Sequence, residues 1–151
     1  MTPIDVVEGI LADPQNLANV KRHTTPDVTY VSLNYDNPEL KRVMPWCGTG
    51  CGPEAIARTF VDVGRYWAVE SFDLGTVFGS GPHVAIFGKF TYRSTVLRKR
   101  VTTPFAVYAH INDGLCNYLQ FMEDTFATTA SFRSGGAWLI KSDPDGEEVS
   151  V

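Results

Sequence analysis

The chain has 151 residues, the length of one domain that buries roughly two-thirds of the surface of its unfolded chain. Hydrophobic residues at 44% and charged residues at 20% are typical of a globular protein, and a net charge of −4 argues against a nucleic-acid-binding surface, which needs a basic stripe. No apolar run approaches the roughly 20 residues of a membrane span, and Asp5 and Glu8 interrupt the N-terminus where a signal peptide would be apolar, so we expect neither membrane association nor secretion.

The first part of the chain predicts helices around a single strand. Thr2-Pro3 begins a helix, because proline favours the first helical position, and Asp13-Pro14 ends it. The alternating, β-branched run over 28–34 predicts a strand. Gly52-Pro53-Glu54 begins a longer helix, whose apolar residues repeat at helical spacing to about residue 66. Three shorter segments complete this part: a helix at 14–22, a helical turn at 38–43 and a loop at 45–52.

The second part predicts four strands joined by hairpin-length connections, at about 69–79, 83–95, 99–111 and 114–123. Asp113-Gly114 is a strong hairpin signal, and Pro104 within the third strand predicts a bulge or a sheet edge there. Asp124 precedes a last helix at about 125–133. Because the strands run together and apart from the helices, we expect an α+β fold, with one domain over 1–135 and a tail over 136–151.

Three cysteines do not form a disulfide framework, because their number is odd. Cys47 and Cys51 are four residues apart, but a zinc site would need two further ligands, and His83 and His110 lie at unrelated positions. We therefore expect no metal site, and reduced thiols that fit a cytoplasmic protein.

Two stretches carry a resemblance to a known family. One is Gly52-Pro53-Glu54-Ala55-Ile56-Ala57, after a glycine-rich loop, and the other runs from Pro104 to Gly114 and on through Gln120-Phe121-Met122-Glu123-Asp124-Thr125. They resemble the SnoaL-like branch of the nuclear transport factor two-like (NTF2-like) superfamily, which includes ketosteroid isomerases, polyketide cyclases and limonene epoxide hydrolase. Over about residues 4–135 the resemblance implies a cone-shaped, curved antiparallel sheet with helices over its concave face and a pocket in its mouth. It indicates the fold and not the reaction.

The alternation of side chains along the strands assigns residues to the pocket that the resemblance implies. Glu123 and Tyr30 are the candidate catalytic residues. The candidate ligand-binding residues, mostly apolar or aromatic, are Ser32, Trp46, Phe60, Ile86, Phe90, Phe105, Val107, Asn117, Leu119 and Phe121. An apolar cavity with a few polar groups suits a small hydrophobic molecule. A register slip of one residue would invert a face, and the apolar members would then simply fill a core.

Glu123 and Tyr30 suit the chemistry of the cyclases in this branch. Their intramolecular aldol closure needs a general acid or base inside a shaped apolar pocket. Desolvation would raise the pKa of Glu123, and Tyr30 would donate a hydrogen bond to the substrate. Glu123 would otherwise be a solvated strand end. Asp124, the neighbouring carboxylate, also fits the N-cap of the following helix.

The resemblance argues against two reactions of the superfamily. The ketosteroid isomerase base and oxyanion-binding Asp fall at Ser32 and Val107, and the charged relay of the epoxide hydrolase falls at Gly88, Phe90 and Phe121. Two functions stay open. The protein is either a cofactor-free isomerase or cyclase acting on a small hydrophobic carbonyl compound, or a non-catalytic module that binds an apolar small molecule.

The convex face of the sheet predicts a homodimer, because many members of the superfamily pair through that face and a monomer rarely exposes such an apolar patch. The residues expected there are Phe87, Lys89, Ala106, Tyr108, Leu115 and Cys116.

Overall fold

The computed structural model describes residues 1–151. Its helices are α1 (Pro3–Ala12), α2 (Leu17–His23), α3 (Pro38–Val43), α4 (Pro53–Tyr66) and α5 (Thr125–Ala130). Its strands are β1 (Thr24–Ser32), β2 (Gly48–Cys51), β3 (Trp67–Ser80), β4 (His83–Ser94), β5 (Arg100–Asn112), β6 (Leu115–Glu123), β7 (Leu139–Ile140) and β8 (Val149–Ser150). None of the helices combines the length and the apolar character that a membrane crossing requires.

Six strands form one sheet in the order β2-β1-β6-β5-β4-β3. Its neighbouring strands are antiparallel except β1 and β6, which run parallel, so the sheet is mixed and not purely antiparallel as predicted. Register shifts in β3 at Val69/Ser71 and Asp73/Thr76 mark irregularities of the kind that bend a strand. Helices α1, α2 and α4 lie against this curved sheet and enclose the hydrophobic core. The predicted α+β class is confirmed.

Side-chain caps define the starts of α1 and α2. Thr2 and Asp5 form a capping box at the start of α1. The second helix begins at Leu17 and not at 14 as predicted, because the Asn16 side chain accepts hydrogen bonds from the backbone N–H groups of Ala18 and Asn19.

Strand β1 differs from the prediction at both ends. It begins at Thr24, with an irregularity between Thr24 and Thr29, and it ends at Ser32 because Leu33 adopts a φ of +66°. The predicted loop over 45–52 contains β2, which pairs with β1. Gly50 of β2 lies close to α4. A Cβ added to Gly50 would come 2.8 Å from the Cβ of Ala55.

The four-stranded meander β3–β6 follows the predicted segments to within about two residues. Pro104 pairs with Lys89 of β4 without a register shift, and the β5–β6 pairs begin only at Phe105 and Glu123. Pro104 therefore lies where β5 has a partner on one side only, which is a local sheet edge and not a bulge.

A β-bulge inverts the predicted faces at the start of β6. His110 pairs with Tyr118 and Ile111 with Cys116, so Asn117 is the extra residue. Cys116 is fully buried in the core, whereas the Asn117 side-chain oxygen lies 2.8 Å from Nδ1 of His110. Asn117 therefore does not line a pocket and Cys116 does not lie on the convex face, and both of these predictions are wrong.

The last helix is shorter than predicted, and the tail contains a short pair of strands. α5 ends at Ala130 and not at 133, and Trp67 donates a hydrogen bond from its indole nitrogen to the Ser131 hydroxyl at 2.9 Å. In the tail, β7 pairs with β8, and the Arg133 guanidinium donates to the carbonyl of Val151 at 2.9 Å. The ring of Trp138 in the tail also packs against Phe126 of α5, with the ring centroids 6.2 Å apart.

Candidate active site

A narrow cavity lies between β1, β4, β6 and α4, inside the cone. The residues that line it are Tyr30, Ser32, Leu33, Trp46, Thr59, Phe60, Val63, Tyr92, Phe121 and Glu123. It leaves about 10 Å³ for the centre of a water molecule, which is room for a single water. The predicted pocket is thus a one-water cavity in this structure, and a larger ligand would enter only if its aromatic walls moved.

Glu123 brings a carboxyl group to this cavity from the last position of β6. Its Oε2 atom is buried and has no hydrogen-bond partner, an uncommon state for a buried polar atom. Burial is the main cause that raises the pKa of Glu123 from 4.5 to about 7, with a smaller contribution from Asp124, while Thr128 acts in the opposite direction. Near pH 7 this carboxyl group therefore exists in both protonation states.

Tyr30 brings a phenol to the same cavity from β1. Its side chain is 2% exposed, and the hydroxyl groups of Ser32 and Thr59 lie beside it. Burial raises the pKa of Tyr30, and the negative charge of Glu123 raises it further, although Ser32 and Thr59 oppose the shift. The phenol consequently stays protonated and is available as a hydrogen-bond donor.

Thr59 and Tyr92 also line the cavity; strand alternation places Tyr92 on the pocket face, whereas Thr59 was not predicted. Burial and the charge of Glu123 raise the pKa of Tyr92. The sequence carried a signal for both. Tyr92 shares a strand face with Ile86 and Phe90, and Thr59 follows Ile56 at the helical spacing of three.

Most of the predicted apolar pocket residues lie in the core behind the cavity. The rings of Phe105 and Phe121 stack at 5.1 Å, and those of Phe72 and Phe105 at 4.6 Å. Gly88 makes room for this stack, because a Cβ there would come 2.4 Å from Cζ of Phe105. Of the predicted set, Phe121, Ser32, Trp46 and Phe60 line the cavity. The others are buried core residues that do not line it: Ile86, Phe90, Phe105, Val107 and Leu119.

Two larger cavities share lining residues with the one-water cavity. A polar cavity of about 220 Å³ shares Tyr30, Trp46 and Thr59 with it. A mainly apolar cavity of about 500 Å³ shares Phe60, Val63 and Tyr92.

The remaining candidate groups are Asp124 and the two cysteines of the glycine-rich segment. Asp124 is the N-cap of α5, since its side chain accepts a hydrogen bond from the backbone N–H of Ala127 at 3.1 Å. Cys47 and Cys51 are both free thiols. No group of three His, Cys, Asp or Glu side chains lies close enough together to hold a metal ion.

Solved structures of NTF2-like proteins share this fold. One from Burkholderia thailandensis matches with a TM-score of 0.75 and 18% identity, over 88% of this chain and 98% of that chain. TerC, crystallised with polyporic acid, matches with a TM-score of 0.63 and 19% identity, over 85% and 97%. A candidate SnoaL-like polyketide cyclase from Mesorhizobium loti matches with a TM-score of 0.61 and 16% identity, over 80% and 98%. The fold is that of the NTF2-like superfamily, as predicted.

Two fungal relatives identify a family for this chain within the NTF2-like fold. Patulin biosynthesis cluster protein F of Penicillium expansum is 39% identical over an alignment of 153 positions, which covers 96% of this chain and 76% of that protein. Patulin synthesis protein F of Aspergillus clavatus is 45% identical over 118 residues, which cover 76% of this chain and 60% of that protein. The chain belongs to the family of these F proteins. No protein-family model matches it.

Proposed function

We propose that this protein is a cofactor-free isomerase or cyclase in small-molecule biosynthesis, in which Glu123 transfers a proton and Tyr30 binds the carbonyl oxygen of the substrate. The observation that carries the proposal is the buried Oε2 atom of Glu123, which has no hydrogen-bond partner and belongs to a side chain that lines the same cavity as Tyr30. The names of the two relatives refer to patulin synthesis, and TerC was crystallised with polyporic acid, which supports an oxygen-rich small molecule as the substrate.

The proposed reaction is an internal proton shift. Ionised Glu123 accepts a proton from a carbon next to a carbonyl group, and the electron pair of the C–H bond forms an enolate. Tyr30 donates a hydrogen bond to the enolate oxygen, with Tyr92 on the same wall. Protonated Glu123 returns its proton to another carbon in an isomerase; in a cyclase the enolate carbon attacks a second carbonyl and Glu123 protonates the resulting alkoxide. A pKa of about 7 suits both directions of transfer at neutral pH.

A non-catalytic binding role is the second candidate. The apolar cavity of about 500 Å³, which reaches from Leu11 and Pro14 to Phe72 and Tyr92, supports it. This cavity has room for an apolar ligand without any movement of the walls around Glu123.

We also propose a homodimer that forms through the outer face of the sheet. Phe78 and Phe87 stack there at 6.2 Å and are both more than half exposed, and Tyr108 and Met122 are exposed as well. Exposed apolar patches of this kind often mark protein–protein contacts.

The free thiols support a reducing compartment such as the cytoplasm.

The proton-transfer function is tested by exchange of hydrogen with solvent. A panel of small carbonyl compounds is incubated with the protein in D₂O, and loss of the hydrogen next to the carbonyl is followed by ¹H NMR. We expect exchange with the wild type and with Glu8→Gln, an exposed carboxyl-to-amide control on α1, and a loss of about 100-fold or more with Glu123→Gln. An unchanged rate in Glu123→Gln would exclude this carboxyl group as the base.

A further inference from the structure

Two histidines from neighbouring strands meet on the outer face of the sheet. His83 begins β4 and His110 lies near the end of β5, and the two are direct partners in the antiparallel pairing of these strands. Their ring centroids are 5.1 Å apart. The next pair, Val84 and Ala109, is buried in the core, and successive side chains of a strand point to opposite faces. The two histidine side chains therefore lie on the other side of the sheet from the Glu123 cavity.

The hydrogen bonds of the two rings leave one nitrogen of each ring without a partner. Nδ1 of His110 lies 2.8 Å from the side-chain oxygen of Asn117, and Nδ1 of His83 lies 2.8 Å from the hydroxyl of Tyr108. An amide oxygen only accepts, so in the neutral ring of His110 the proton is on Nδ1 and the lone pair is on Nε2. The hydroxyl of Tyr108 can accept in the same way from His83. Neither Nε2 atom forms a hydrogen bond within the chain, so both are free to bind a ligand.

This arrangement matches that of histidines that bind metal ions. Such a histidine binds the metal through one ring nitrogen and donates a hydrogen bond from the other, which fixes the tautomer and the orientation of the ring. With metal–nitrogen distances of about 2.1 Å and a tetrahedral angle, the centroids of two imidazole rings lie about 5 Å apart. The 5.1 Å between the rings of His83 and His110 therefore fits a shared ion.

The nearest neighbours of the pair in the sheet carry no positive charge. The residues beside it across the strands are Ser80 in β3 and Tyr118 in β6. The next pair on the same face is Ala85 with Tyr108. A cation bound between the two rings would meet no like charge from these positions.

We propose that His83 and His110 bind one divalent transition-metal ion through their Nε2 atoms, with water in the remaining positions. Imidazole nitrogen suits Zn²⁺, Ni²⁺ and Cu²⁺, whereas Mg²⁺ and Ca²⁺ need oxygen ligands. Two protein ligands are fewer than the three or four of most zinc sites, so the ion binds reversibly. The site is independent of Cys47 and Cys51 and of the proposed proton-transfer function.

The test uses Zn²⁺ alone as the probe on the full chain. Binding is measured by isothermal titration calorimetry at about pH 7.5, where an ordinary imidazole is neutral, and the bound position by ¹H–¹⁵N chemical-shift changes. We expect one ion per chain, with shifts of the amides of 81–85 and 108–118. His83→Gln and His110→Gln should each weaken Zn²⁺ binding by about tenfold or more, because either change leaves a single imidazole.

Two variants serve as controls. His23→Gln makes the same change at the third histidine, which lies in α2 with its ring beside Gly9 of α1. Cys51→Ser removes the exposed thiol, another group that binds Zn²⁺. The Zn²⁺ affinity of both variants should stay within twofold of the wild type. The inference is overturned if Zn²⁺ does not bind, or if either control weakens binding as much as His110→Gln does.

The two histidine substitutions test the site separately. His83 is exposed and His110 is half-buried, so His83→Gln carries the test if His110→Gln fails to fold. Thermal unfolding without Zn²⁺ shows whether each variant is folded. A folded His83→Gln protein that binds Zn²⁺ like the wild type would refute the two-histidine site.

Discussion

Tyr30 and Glu123 reach one cavity from neighbouring parallel strands. Tyr30 pairs with Leu119 and Ser32 with Phe121, and Glu123 lies two residues further along β6. Parallel pairing of β1 with β6 points both strands in one direction, so that their C-terminal ends bring polar side chains to the same end of the cone. The negative charge of Glu123 raises the pKa of Tyr30, so the two groups interact electrostatically. A donor phenol beside an exchangeable proton is the arrangement that enolate chemistry uses.

Turnover should depend on pH through Glu123. Because burial raises its pKa to about 7, the carboxylate form needed for proton abstraction is scarce at pH 5 and predominant at pH 9. We therefore expect the rate of hydrogen exchange per enzyme to rise with pH, with a midpoint near 7. The measurement is kcat/KM from pH 5 to 9. A flat profile, or a midpoint near the ordinary carboxyl value, would contradict a buried base.

The stability of the fold should also depend on pH through Glu123. The folded pKa is about 7 and the ordinary value is 4.5, so the folded state binds the proton more tightly than the unfolded state does. Below pH 4.5 the carboxyl group is protonated in both states, so its burial carries no charge penalty. As the pH rises from 4.5 through 7, the free energy of unfolding falls by about 3 kcal/mol. In Glu123→Gln this fall should be absent. Urea unfolding at pH 4.5 and 8 measures it, and Glu8→Gln, which should fall like the wild type, is the control.

Local signals in the sequence predicted the elements, and pairing between distant strands decided the rest. The start of α4 at Pro53 and the hairpin at Asp113-Gly114 depend on a few neighbouring residues, and both lie where they were predicted. β2 was missed because the segment Gly48-Thr49-Gly50-Cys51 carries no strand pattern of its own. It is a strand only because Thr29–Ser32 of β1 lies beside it.

Part of the candidate site was predictable because it depends on local alternation within single strands. Alternation along β1 and at the end of β6 places Tyr30, Ser32, Phe121 and Glu123 on one face, and the structure brings them together. The bulge at Asn117 reversed the alternation nearer the start of β6, and bulges follow from the register with the partner strand. The size of the cavity depends on how closely aromatic rings stack, which no spacing in the sequence reveals.

Removing the Tyr30 hydroxyl should slow the reaction more than it weakens binding. Tyr30→Phe keeps the ring but removes the donor for the enolate oxygen, and donors of this kind contribute about 100-fold or more to kcat. The comparison is Tyr66→Phe, which keeps the ring contact with Trp46 at 5.0 Å and lies outside the cavity. Steady-state kinetics should give a lower kcat with little change in KM for Tyr30→Phe alone. Equal kcat values for the two variants would remove Tyr30 from the proposed mechanism.

Gly88 should be intolerant of even a methyl group, because it faces the ring that closes the core behind the site. A Cβ at this position would come 2.3 Å from the carbonyl oxygen of Asp73 and 2.4 Å from Cζ of Phe105. Gly88→Ala should therefore lower the free energy of unfolding by about 1–3 kcal/mol. Gly64→Ala is the matched change: it lies in α4 with no heavy atom within 4 Å of the added Cβ, and alanine should raise the stability by up to about 1 kcal/mol there. Thermal and urea unfolding of both variants measure the difference, and an unchanged midpoint in Gly88→Ala would mean that the stack of Phe105 on Phe72 and Phe121 is looser than these distances imply.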